Sequence, residues 1–193
     1  MKDMKIVLLG KPGAGKGTQG EMLSRKYKIP HISIGDVSRE IAFNPEHSLH
    51  QSVQVHFNQK TWKPLPDELT MQIAQSKLQD LDSWVVDGFP RNVHQAELFS
   101  IKPTHVIYFE LSDELCIKRA SNRNRKDDSL EKMNERLLIE LGRIPQLLEF
   151  YSSKNLLHII NADQSLDKVL DEIISICEIQ KTKIDNETKI RFR

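Results

Sequence analysis

The sequence has few cysteines, no long apolar run and almost no net charge, and each absence removes a class of protein. Two cysteines occur in 193 residues, Cys116 and Cys177. They lie far apart among apolar neighbours and form neither a C-x-x-C pair nor a disulfide framework, so reduced, packed thiols are expected. The longest apolar run near the N-terminus is Ile6–Leu9, too short for a signal-peptide core or a membrane span. A cytoplasmic, reducing location is the expectation. Charged residues make up 28 %, yet the formal net charge is +1, which excludes a general polyanion binder and an acidic tail protein. Residues 181–193 hold a local excess of +3, with Lys181, Lys183, Lys189, Arg191 and Arg193 set against Asp185 and Glu187. Such a basic tail reads as a solvated helix end or frayed terminus, not as a nucleic-acid or membrane site. Internal repeats and low-complexity tracts are also missing.

What is present is a rhythm. The length fits one domain with a substantial core. Short β-rich runs at Lys5–Leu9, His31–Ile34, Trp84–Asp87, His105–Glu110 and Leu156–Asn161 alternate with amphipathic stretches near 16–28, 66–81, 92–100, 113–123, 129–153 and 165–180. That alternation predicts an α/β fold, a parallel sheet with helices on both faces. Residues 35–65 put helical, polar sequence between the second and third strands, longer than a crossover requires, and read as an inserted helical subdomain. Residues 119–128 form a short, highly charged connector.

Gly10-Lys-Pro-Gly-Ala-Gly-Lys-Gly-Thr18 follows a strand and opens a helix, the context a phosphate-binding loop needs. Glycines let backbone N–H groups converge on phosphate oxygens, and the helix N-terminus adds partial positive charge. Lys16 is placed to reach the β- and γ-phosphates. Gly17 stands directly after Lys16, so the hydroxyl arrives one residue late, at Thr18. Its expected contact is phosphate or a magnesium-bound water rather than the metal itself.

Two further runs follow successive strands: Gly35-Asp-Val-Ser-Arg39 and Asp87-Gly-Phe-Pro-Arg91. Loops at the carboxyl ends of strands line the ligand crevice of an open α/β sheet, so both arginines should face the phosphate loop's cleft. Asp87 sits where a Walker-B acid would hold magnesium-bound water. Arg119, Arg123, Arg125, Lys126 and Arg136 add charge, Arg136 lying off the apolar stripe of its helix. Phosphoryl transfer is mostly positioning plus positive charge, and no general base is needed when the acceptor is itself a phosphate.

These motifs resemble those of the adenylate kinases, within the nucleoside monophosphate kinase family, over residues 5 to about 178. Gly-x-Pro-Gly-Ala-Gly-Lys-Gly-Thr-Gln is similar to the family's first signature and Asp87–Arg91 to its second. Arg119, Arg123, Arg125-Lys-Asp-Asp128 and Arg136 match its lid and post-lid pattern. The resemblance implies a P-loop NTPase-type, five-stranded parallel core, a monophosphate-binding insertion around 35–67 and a short lid around 119–128. It implies reversible conversion of ATP and AMP to two ADP, with magnesium carried by the nucleotide and water near Thr18 and Asp87. No zinc is expected, because the lid lacks the four cysteines of zinc-bearing relatives. A monomer acting on small nucleotides, without nucleic-acid or membrane partners, is the expected state.

By position, the resemblance gives ATP phosphates to Gly13, Ala14, Gly15, Lys16, Gly17 and Thr18, the ATP base to Arg119 and the Gln164 backbone, and ATP phosphate to Arg123. Arg39 and Arg91 would grip the AMP phosphate, and Arg125 and Arg136 would bridge the transferring group; Lys16, Arg91, Arg125 and Arg136 form the catalytic set. The AMP side would further include Ile34, Lys63, Pro64, Leu65, Gly88, Phe89, Pro90 and Gln95. An amide at Gln95 offers a donor and an acceptor to adenine. Three departures fall on that side: Ile34 where threonine is usual, Ser38 where leucine is common, and Trp62-Lys-Pro-Leu65 where a glycine-containing segment normally presents backbone to the base. A kinase of the same family preferring UMP, CMP or dAMP, and a nucleotide-binding sensor or structural module without turnover, therefore stay open at this stage.

Overall fold

The computed structural model describes residues 3–58, 63–121 and 130–191, with side chains as far as residue 179 except at position 130. Five strands, β1 (Lys5–Leu9), β2 (His31–Ser33), β3 (Trp84–Asp87), β4 (His105–Glu110) and β5 (Leu157–Asn161), form one parallel sheet in the order β2-β3-β1-β4-β5. The crossover from β1 runs to the β2 edge and that from β3 runs over β1 to β4. Their divergence leaves a crevice at the carboxyl end of β1.

Side chains alternate across each strand, so adjacent residues enter different cores. Val7, Leu9, Val86, Val106 and Tyr108 pack on one side, Ile6, Leu8, Val85, Ile107 and Phe109 on the other. The first core is closed by α2 (Ile34–Phe43), α4 (Asp67–Leu78), α5 (Val93–Leu98) and α7 (Leu130–Ser152); the second by α1 (Lys16–Tyr27), α6 (Asp113–Ser121) and α8 (Leu166–Arg191). Burial on both faces is why β1, β3 and β4 read as nearly continuous apolar runs. Both cysteines are buried and unpaired, one in α6 and one in α8.

Residues between β2 and β3 are helical as expected, with α2 followed by α3 (His50–Phe57). Two boundaries differ from the sequence reading. Ile34 does not end β2 but opens α2, because the Ser33 hydroxyl accepts from the Asp36 N–H at 3.4 Å and caps the helix there. The last helix does not stop near 180: α8 runs on to Arg191 through a stretch without glycine or proline. No helix among the described residues is long and apolar enough to cross a membrane.

His105, at the start of β4, is 5 % exposed, and its Nε2 lacks a hydrogen-bond partner. Burial, with a smaller contribution from His158, holds its pKa down at about 4. The unfolded chain therefore takes up this proton first as pH falls below about 6.5. Stability should drop between pH 7 and pH 5 by about 2 kcal/mol, with His158, also lowered by burial, adding in the same direction. Urea midpoints at the two pH values test this. A His105→Gln variant should show a shallower pH dependence, and an unchanged slope would assign the loss to other groups.

Candidate active site

The phosphate loop joins β1 to α1 at the crevice. Gly15 caps α1 in the left-handed conformation (φ 98°), with no side chain bonded to the first-turn N–H groups and no acidic residue in that turn. Those donors are left for an anion. Gly13 (φ 88°) runs so close to α6 that a Cβ there would lie 2.2 Å from the Cys116 carbonyl oxygen. Lys16 Nζ donates to the carbonyls of Gly10 (2.5 Å) and Lys11 (3.0 Å), which hold the ammonium over the loop. Lys11, 8 % exposed, is ion-paired with Asp113 at the start of α6. Burial alone would lower its pKa, but the Asp113 hydrogen bond and the charge interactions with Cys116, Asp113 and Tyr108 together outweigh this and the pKa is raised. It stays charged.

Beside the loop, at the end of β3, lies Asp87. His31 Nε2 is 2.8 Å from one of its carboxylate oxygens, and the Ser33 hydroxyl donates to the other at 3.2 Å. Burial pushes this carboxyl up, yet the His31 hydrogen bond and the charge of Lys16 prevail, and its pKa lies below the ordinary value. Gly20 makes room for the imidazole, since a Cβ there would come within 2.4 Å of Nε2. Among the described residues no cluster of three His, Cys, Asp or Glu could hold a metal unaided. One ionised carboxylate beside a phosphate loop fits a magnesium ion that arrives on phosphates and keeps most of its waters.

Basic residues complete the crevice. Arg91, which follows the Asp87 loop, is anchored by its Nε donating to the Gly88 carbonyl at 2.9 Å. Burial lowers its pKa, opposed chiefly by Glu140 on α7, with Arg136 and Arg143 also within its field. Arg39 is paired with Asp36 on the first turns of α2.

Three cavities run side by side along this edge. The middle one, ≈ 1140 Å³ including its mouth, touches Lys16, Gly17, Thr18, Asp87 and Pro90 as well as the arginines. It shares Thr18 with an ≈ 850 Å³ cavity bounded by Gly13, Ala14, Gly15, Arg119 and Gln164. It shares Gly35, Arg39, Arg91 and Arg136 with an ≈ 700 Å³ cavity whose remaining wall includes Ile34, Phe57, Lys63, Pro64, Leu65 and Thr70. Both outer cavities open to solvent, and their volumes include their mouths. Arg119 reaches across its cavity to the Ala162 carbonyl (2.9 Å) and Asp163 (3.4 Å), in the loop after β5.

Of the sequence-selected residues that are described, the structure brings all but two to one crevice. Phe89 is fully buried in the core. Gln95, 1 % exposed, does not reach the cavity wall: its Oε1 accepts from the Arg91 N–H (2.8 Å) and its Nε2 donates to Asp67 (2.7 Å). The signal for this was Asp67, which also accepts from the Asn92 cap of α5 and competes for any nearby amide. Arg123, Arg125 and Trp62, with most of the 119–128 connector, lie outside the described residues. Sequence reasoning passed over His31, Thr70 and Glu140; only Gly20, small where the His31 ring packs, hinted at the first.

Comparison with known proteins agrees with this geometry. The family model described as adenylate kinase matches residues 8–156. The chain is 33 % identical to the adenylate kinase of Encephalitozoon cuniculi, covering 90 % of this chain and 97 % of that one. It is 34 % identical to adenylate kinase 1 of a Nostoc species (88 % and 96 %) and 37 % identical to the adenylate kinase of Rhodopirellula baltica (91 % and 94 %). With the phosphate loop, the parallel sheet and this extent of similarity in agreement, the chain belongs to the adenylate kinase family and is a phosphotransferase of the nucleoside monophosphate kinase type.

Proposed function

We propose that the two outer cavities each seat one nucleotide, ATP on the Arg119 side and AMP on the Ile34 side, and that their phosphates meet in the middle cavity. The observation that carries this is the sharing of walls: Thr18 joins donor to middle, and Arg39, Arg91 and Arg136 join acceptor to middle. An AMP phosphate oxygen attacks the γ-phosphorus of ATP, the bond from that phosphorus to the β-bridging oxygen breaks, and two ADP result. The acceptor is already anionic, so no side chain has to remove a proton.

The open N–H groups of α1 and Lys16 hold the β- and γ-phosphates, while Arg39 and Arg91 orient the AMP phosphate. Arg136, from α7, faces the charge that spreads over the equatorial oxygens. Gln95 and Asp67 support the Arg91 backbone from below. Arg123 and Arg125 belong to the same reading as lid residues closing over the donor. Asp87 is the residue that would orient the waters of a magnesium ion carried on ATP, which would supply charge to offset that of the phosphates. We infer a monomer working in the cytoplasm on free nucleotides.

A coupled assay with ATP, magnesium and each of AMP, CMP, UMP and GMP tests the reading. ADP should form fastest with AMP. A higher rate with CMP or UMP would reassign the acceptor, and no turnover with any would make the chain a nucleotide sensor.

A further inference from the structure

We propose that Gln19 is a positioning residue for the donor nucleotide, its side chain clamping the β5–α8 junction to the helix that follows the phosphate loop. The inference rests on the donor seat proposed above. Gln164, Ser165 and Leu166 belong to that junction and line the donor cavity. The core fixes only the flanks of this stretch. Ala162 donates its N–H to the Glu110 carbonyl at 2.9 Å, and Val169 is buried. Between them Asp163, Ser165 and Leu166 are exposed. The Gln164 Nε2 donates to the Asn161 carbonyl at 3.0 Å, which shapes the loop without tying it to another element.

Arg119 and Gln19 reach the junction from outside it. Arg119 bonds to the Ala162 carbonyl and Asp163, but its side chain is 37 % exposed. A guanidinium that turns to meet a nucleotide gives such bonds up. Gln19 differs. It lies in the first turn of α1, it is 1 % exposed, and its N–H donates to the Gly15 carbonyl at 3.0 Å. Its Nε2 donates to the Leu166 carbonyl at 2.9 Å.

The orientation of this amide is fixed. Its Oε1 is buried with no hydrogen-bond partner among the described residues, and turning the amide over would set that oxygen against the Leu166 carbonyl. Breaking the bond would leave a buried donor unpaired as well, which is costly. The clamp therefore sets how far the wall at 164–166 stands from Gly15 and the phosphate loop. A nucleoside triphosphate touches both ends of that span at once, so its affinity depends on their spacing. An inorganic polyphosphate touches only the loop.

The test is calorimetric titration of Gln19→Met, which keeps the length of the side chain and removes both polar atoms. The Kd for ATP should rise about tenfold, while that for inorganic tripolyphosphate changes less than twofold. In steady-state kinetics the KM for ATP should rise with it and the KM for AMP should stay within twofold. Gln19→Leu gives the same readouts should the methionine variant fold poorly. An ATP Kd within twofold of wild type in both variants would overturn the assignment. So would an equal loss of ATP and tripolyphosphate affinity, which would place the effect in the phosphate loop itself. Failure of the donor seat looks different: ATP affinity would then be unchanged by Arg119→Ala in the otherwise wild-type chain.

Discussion

Replacing Lys16 with methionine should lower kcat by about 10²–10³-fold while the melting temperature moves by no more than about 3 °C. The ammonium is held over the phosphate loop, tethered by the carbonyls of Gly10 and Lys11. Its charge is needed where the γ-phosphoryl group passes, and a methionine of similar length fills the space without supplying it. The fold does not depend on it, because the β1–α1 junction is fixed by buried neighbours such as Leu8, Ala14 and Leu23. Activity within tenfold of wild type, at unchanged circular dichroism, would show that the loop N–H groups suffice.

Gly13→Ala should be severe for a different reason. The residue holds φ 88°, which costs a side chain about 1–2 kcal/mol. The added methyl would also stand 2.2 Å from the Cys116 carbonyl, a backbone atom at the start of α6 that cannot swing aside. Separating the two segments adds about 1–3 kcal/mol, so a total near 2–5 kcal/mol is expected, read as a fall of about 4–20 °C in melting temperature. Turnover should fall with it, because the loop is pushed out of register with α1. Gly15→Ala is the control: it shares the positive φ, at 98°, but nothing lies within 4 Å of its added Cβ. It should lose only the conformational part, and equal destabilisation of the two variants would refute the steric account.

The sheet was legible because its strands are buried on both faces, and a run such as Val-Ile-Tyr-Phe at 106–109 has no other economical use. Boundaries were harder where a polar cap decides them, as at Ser33, which turns Ile34 from strand into helix. The phosphate loop, Arg39 and Arg91 were legible because each lies in a run that follows a strand end, whereas Arg119 and Arg136 came through the family resemblance. Gln95 was not, because its orientation is set by Asp67, 28 residues earlier in sequence, and no local pattern reports that bond. His31 and Thr70 were missed for a related reason. Each meets a neighbour or a cavity that exists only once β2, β3 and α4 are assembled.

The contacts of Lys11 with Asp113, and of Gly13 with the Cys116 carbonyl, fasten the phosphate loop to α6, and α6 also carries Arg119. The phosphate loop and the guanidinium on the far wall of the cavity proposed for ATP are thus built on one block, with their spacing set in the fold itself. The acceptor seat has no such unity: Ile34 and Ser38 come from α2, Phe57 from α3, residues 63–65 from a connecting segment and Thr70 from α4. Selection or design can therefore retune which monophosphate is accepted, one element at a time, without disturbing the grip on the donor.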